Sequence, residues 1–171
     1  MPIPQLEDGS ESQDYDANGD GIFNLRDYKD DPRVQEDAGI TGDDDKLDVS
    51  DLIYTFSDGI DDDGNGFVDD ISGWDFFEQD NDAFHTLTRG YGTHGEGVAR
   101  SAAAEGGDGG DIGVCPNCSI LPLRVSDTFV ADGGRVAEAI AYGSDMGSVS
   151  ITMAVGALSN SRSTEEAAQY A

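Results

Sequence analysis

A single histidine stands where the chain changes character. Residues Thr93-His94-Gly95-Glu96-Gly97-Val98-Ala99 end a long acidic run and open an alanine-rich, apolar one. Imidazole titrates closer to neutrality than other side chains, so it can take up and return a proton under physiological conditions. At the start of a helix, His94 reads as a general base. Taken alone, a histidine after a threonine is read first as a structural residue or a helix cap.

The second chemistry is hard-cation binding. Asp16-Ala17-Asn18-Gly19-Asp20-Gly21-Ile22-Phe23-Asn24-Leu25-Arg26-Asp27 fits a twelve-position calcium loop. Asp16, Asn18 and Asp20 fall at positions 1, 3 and 5, Gly21 at 6, Phe23 at 8 and Asp27 at 12. Ca²⁺ takes about six to eight oxygens, so a tight loop must aim alternate side chains inward. The glycine supplies the sharp turn. Asp27 stands where Glu is commoner, and in this the loop resembles dockerin-type calcium repeats. The plain alternative is a polar Asx-turn loop with no ion.

A weaker copy places Asp44, Asp48 and Asp51 at positions 5, 9 and 12, but Ile40 and Gly42 at positions 1 and 3. It is expected either to hold no ion or to use Asp43 and Asp45 instead. A third run follows, Asp58-Gly59-Ile60-Asp61-Asp62-Asp63-Gly64-Asn65-Gly66-Phe67-Val68-Asp69-Asp70. Asp61, Asp63, Asn65 and Asp69 have ligand-like spacing, although Ser72 replaces the closing carboxylate, so this is not a strict EF-hand loop.

The composition agrees with this placement of acids. In 171 residues there are 36 Asp and Glu against 9 Lys and Arg, a formal charge of -27. Phosphate backbones and anionic membrane surfaces would repel such a chain, which argues against both as partners. Charge-driven solubility in a halophilic or extracellular setting is the general alternative to cation binding. No apolar run approaches the ~20 residues of a membrane span. Met1-Pro2-Ile3-Pro4 has neither the charged nor the apolar region of a signal peptide, so for a secreted protein the export signal is expected upstream.

The two cysteines form Cys115-Pro116-Asn117-Cys118. With His85 and His94 they make too few, and wrongly spaced, ligands for a zinc site. A small-loop disulfide in an oxidising location is expected. A redox Cys-x-x-Cys wants a preceding strand and a following helix, which the pattern lacks.

The elements that would position these groups are read in order. Residues 1–15 are polar and expected to be extended or disordered. A short helix follows Asp27-Tyr28, limited by Pro32. Residues 49–56 carry Leu52, Ile53 and Phe56 at helical intervals. Residues 71–77 read as a short strand anchored by Trp74 and Phe76, and 83–92 as a loop. An alanine-rich helix covers about 98–105, with His94 at its opening. Strands are expected at 119–125 and 149–155, helices at 134–147 and from Ser163 or Thr164 onward. Strand and helix alternating at this spacing predict α/β architecture with a right-handed βαβ unit and a parallel sheet. Such a sheet needs helices on both faces, and the chain supplies too few strands to close its core.

Residues 58–76, 94–99, 112–116 and 121–156 together resemble the subtilisin-like serine proteases, the subtilases. The family motif His-Gly-Thr-His-Val-Ala-Gly reads His94-Gly95-Glu96-Gly97-Val98-Ala99-Arg100 here. The family's Gly-Val-Ala-Pro appears as Gly113-Val114-Cys115-Pro116, beginning 19 residues after His94. Ala154-Val155-Gly156 occupies the place of the Ser-Leu-Gly with which the family pairs extended substrate. The Asp58-to-Asp70 run before Gly73-Trp74-Asp75-Phe76 resembles an insertion frequent in subtilases. Glu96, Gly97 and Arg100 depart from the motif.

The resemblance implies part of a doubly wound parallel sheet over residues 58–171, preceded by an acidic calcium-loop insertion over 1–57. It implies His94 as catalytic base, Ala154, Val155 and Gly156 as substrate-binding residues, and polypeptide substrate. Calcium would be held by Asp16, Asn18, Asp20 and Asp27 and by Asp61, Asp63, Asn65 and Asp69. The triad also needs an aspartate to orient the imidazole and a serine nucleophile. No aspartate here ends an apolar strand, and no Gly-Thr-Ser is present. The chain is therefore expected to be a fragment, inactive alone, of a secreted endopeptidase. The alternatives are a non-catalytic subtilase-like protein and a calcium-binding adhesion or scaffold module.

Overall fold

The computed structural model describes residues 1–35, 46–84, 94–107, 110–158 and 160–171. Asp43, Asp44, Asp45, His85 and the loop at 85–93 lie outside the described residues, as does Ser159. The chain forms two compact units, Met1–Gly73 and Trp74–Ala171.

In the first unit a 3-10 turn, Leu25–Tyr28, and helix α1, Val49–Phe56, enclose a small core of Tyr28, Leu52, Phe56 and Ile71. Both helical pieces begin with the same device. Asn24 accepts from Arg26 N–H while Asp27 accepts from Asn24 N–H, and Asp48 and Asp51 repeat the exchange at α1. Such a capping box satisfies amide donors that a helix start leaves open. Asp48 and Asp51, read as positions 9 and 12 of the weak second loop, are thus committed to the N-terminus of α1.

The N-terminal residues are more ordered than their polarity predicts. A turn returns Leu6 N–H to Ser10 O and Ser12 N–H to Pro4 O. Tyr28 donates its hydroxyl to Pro2 O at 2.7 Å, and the buried Asp31 accepts Gln5 N–H at 2.8 Å. Arg33 grips Asp31 at both carboxylate oxygens, 3.0 and 2.7 Å away, and reaches Ile3 O at 2.8 Å. These long-range bonds order the segment together with the burial of Pro4 and the packing of Met1 on the core.

The second unit contains β1, Trp74–Asp75, α2, His94–Ala103, β2, Leu123–Arg124, α3, Gly133–Asp145, and α4, Arg162–Tyr170. The strands pair in parallel, Trp74 opposite Leu123 and Asp75 opposite Arg124. This is a mixed helical fold with a small parallel sheet, loosely α/β. Among the described residues the sheet has these two strands. Helix α3 packs on α4 through Val136, Ile140 and Ala167, with Val125 and Ile151 against them. Phe76 and Tyr142 meet edge to face, centroids 5.9 Å apart.

Arg124 is the electrostatic centre of the sheet. Its guanidinium bonds Asp75, Glu78 at 2.6 Å, and Asp127. Asp75 and Arg124 are both buried. Burial works against the charge on Arg124, but Glu78, Asp127 and Asp75 outweigh it and raise its pKa. Phe77 lies between Arg124 and Arg135, 5.3 and 4.8 Å from its ring centre. Nη1 serves Asp75 and Glu78 while Nη2 serves Asp127, a spread of donors that the compact ammonium of lysine does not offer.

Several sequence expectations need correction. The strand expected over 119–125 is two residues long, and 149–155 forms no strand, because no neighbouring segment pairs with it among the described residues. Helix α2 does open at His94 and runs through Gly95 and Gly97, but it ends at Ala103, two residues before the expected limit. Helix α4 is capped by Ser161, whose hydroxyl accepts Thr164 N–H, not by Ser163 or Thr164. Among the described residues no helix is long and apolar enough to cross a membrane.

Candidate functional site

His94 is the first residue of α2, and its side chain is exposed. The imidazole Nε2 lies 3.0 Å from the carbonyl oxygen of Ala154, sixty residues away. The ring makes a T-shaped contact with Phe129, with centroids 4.8 Å apart and planes at 85°. Phe129 O accepts Gly156 N–H, and Ala131 N–H donates to Gly156 O at 3.0 Å, making a parallel bridge between Val130 and Gly156. His94 thus meets one of the three residues proposed to bind substrate, Ala154, while Gly156 is tied to the segment of Phe129, whose ring His94 also touches. Val155 stays exposed between Ala154 and Gly156.

Segment 129–131 is what the sequence reading missed. Its apolar Phe129 and Val130 precede the Asp132 cap of α3. Nothing in their spacing ties them to His94, since the tie is made through tertiary structure alone. Beside the bridge lies a cleft of about 430 Å³, lined by Val130, Ala131, Gly133, Ala157 and Leu158 among others. Among the described residues no carboxylate bonds the His94 ring, whose hydrogen bond goes to Ala154.

The two acidic loops share one hydrogen-bond frame. In the first, Asp16 accepts from Asp20 and Gly21 N–H, Asn18 from Asp20 N–H, and Asp20 from Ile22 N–H. In the second, Asp61 accepts from Asn65 and Gly66 N–H, Asp63 from Asn65 N–H, and Asn65 from Phe67 N–H. Position by position the pattern is the same. The corresponding Gly19 and Gly64 take positive φ of 74° and 71°, which a side chain would resist. The Gly66 N–H holds the Asp61 carboxyl below its ordinary range, outweighing its burial.

The loops close differently. Asp27 accepts from Asn18 and Asn24 N–H and ties the first loop's end to its start. Asp69, with φ 62°, turns back to accept Asp58 and Gly59 N–H. Asp70 is the buried carboxylate of the second loop and accepts the Asn65 amide at 2.8 Å. The sequence reading passed over Asp70 because it occupies no ligand position of the twelve-residue frame. The donors in both loops are carboxylate and amide oxygens, the set a hard cation takes. Among the described residues, no three His, Cys, Asp or Glu side chains converge as a metal centre would bring them.

Cys115 and Cys118 are joined as a disulfide with Cα atoms 5.4 Å apart. Compared with protein-family models, curated proteins and solved structures, the chain has no match.

Proposed function

We propose that this chain is part of a secreted, calcium-stabilised, subtilisin-like serine endopeptidase, with His94 as the base of a Ser-His-Asp triad. The observation that carries the reading is the 3.0 Å approach of His94 Nε2 to Ala154 O. It joins the residue proposed as base to the segment proposed to bind substrate, as a protease needs its base beside the scissile bond. The parallel pairing of β1 with β2 suits the corresponding part of a doubly wound sheet.

In this reading His94 takes the proton of a serine hydroxyl and returns it to the leaving amine. The backbone around Ala154, Val155 and Gly156 pairs with an extended polypeptide. The two acidic loops hold Ca²⁺ through Asp16, Asn18, Asp20 and Asp27 and through Asp61, Asp63, Asn65 and Asp69, which offsets their mutual repulsion. The aspartate and serine come from chain beyond these residues.

The test is casein hydrolysis by the protein translated from the full reading frame, beside its His94→Ala variant. Turnover should fall by about 10⁴-fold or more in the variant, and this chain alone should show none. Unchanged turnover in His94→Ala would sink the assignment. A non-catalytic subtilase-like protein is the second reading. It is favoured by the commitment of Nε2 to a carbonyl and by Glu96, Gly97 and Arg100, and it predicts no hydrolysis by the full-length protein.

A further inference from the structure

Helix α2 is poorly anchored for an element that carries a candidate base. None of its residues is buried. Gly95 and Gly97 lie in its first turn, where glycine weakens a helix. A helix of ten residues is marginal without tertiary support.

At its first residue that support comes from the contacts of His94 with Ala154 and Phe129, and at its C-terminal end from a strap. Gly113 N–H donates to Ala104 O at 2.9 Å, Val114 to Ser101 O at 3.2 Å and Cys115 to Ala102 O at 2.8 Å. These are carbonyls that a helix C-terminus leaves without partners. The strap lies so close that a Cβ at Gly113 would fall 2.5 Å from Ala104 N. Immediately after it, Cys118 N–H closes a turn onto Cys115 O at 3.0 Å, and the disulfide locks that turn. Both cysteines are exposed.

We propose that the Cys115–Cys118 disulfide is a redox clamp on helix α2, open to exchange with dithiols, whose reduction releases the strap and loosens the helix that begins with His94. A dithiol thiolate attacks one cysteine sulfur, the S–S bond breaks, and the other sulfur leaves as a thiolate and is protonated. The second thiol of the reagent then displaces the protein sulfur from the mixed disulfide. The protein gains two electrons and two protons, and the reagent becomes a cyclic disulfide. The inference stands on the strap geometry and does not require His94 to be a base.

Amide hydrogen exchange on this chain, with and without millimolar dithiothreitol, tests it. Reduction should speed exchange in α2 and at Gly113–Cys115 by about tenfold or more, leaving α3 unchanged. A Cys115→Ser/Cys118→Ser variant should show the fast pattern without reductant. A disulfide that stays intact under dithiol, equal protection in both states, or loss of protection in α2 and α3 together would each overturn the proposal. Since the readout is exchange and not turnover, its failure is distinct from failure of the protease reading.

Discussion

His94 Nε2 and the carbonyl oxygen of Ala154 are 3.0 Å apart. A carbonyl can only accept, so the nitrogen that faces it carries the proton. The neutral ring should therefore be the Nε2–H tautomer, with Nδ1 bare. Nitrogen-15 shifts of the imidazole report this directly. A proton on Nδ1 would mean that the contact is not made in solution. The same bond sets a condition on catalysis, because Nε2 must leave Ala154 and the ring proton must move to Nδ1 before Nε2 can accept a serine proton.

The shared frame of the acidic loops predicts two independent cation sites. Calorimetric titration should show two Ca²⁺ bound, and Asp16→Ala and Asp61→Ala should each remove one. Saturation at a hundredfold excess over Kd should stabilise the protein by about 2.7 kcal/mol per site, seen as a raised Tm. Unchanged Tm and no heat at millimolar calcium would count against both loops as ion sites.

Asp31 gives the first unit a specific acid sensitivity. Burial pushes its carboxyl up, but Arg33 and the N–H groups of Gln5 and Arg33 outweigh this and hold it below the ordinary range. Its stabilising effect is complete above about pH 4 and is lost as pH falls through the lowered folded-state value, because the unfolded chain takes the proton first. Asp31→Asn should cost about 2 kcal/mol at neutral pH and flatten this part of the acid-unfolding curve. Urea melts between neutrality and acid, followed by the tyrosine signal, would show a parallel fall in both proteins if the carboxylate plays no such part.

Arg124→Met should be the most damaging change in the second unit. It strips the buried Asp75 of its guanidinium, and removing one partner of a buried pair costs about 3–5 kcal/mol. Arg124→Lys keeps the charge but cannot reach Asp75, Glu78 and Asp127 together, so it should recover only part of the loss. Denaturation monitored at Trp74 measures both, and equal stability of the Lys variant and wild type would remove the fork from the account.

Elements set by local physics are legible in the sequence. Helix α1 keeps the bounds its apolar spacing set, because Asp48 caps it and Leu52 and Phe56 bury its face. Helix α3 starts one residue and ends two residues before the expected limits, after an Asp132 cap. The acidic loop at Asp16 folds around the alternation that marked it. Strands were legible only as apolar runs, since pairing depends on a neighbour elsewhere in the chain. Residues 149–155 illustrate this, with Val149 fully exposed despite its β-branched surroundings. The contacts of His94 with Phe129 and Ala154, and the Arg124 cluster, join residues far apart in sequence. No periodicity encodes them.

The first acidic loop draws its bends from bonds between Asp16 and Ile22, and the second from bonds between Asp61 and Phe67. Each loop thus carries its own scaffold inside one heptapeptide. One residue beyond each heptapeptide then pins it to the body of the protein, Asp27 by taking Asn18 N–H and Asp70 by taking the Asn65 amide. Alike in frame, the two heptapeptides are not interchangeable: exchange would set the Asp20 carboxylate against the buried Asp70, which now accepts the Asn65 amide.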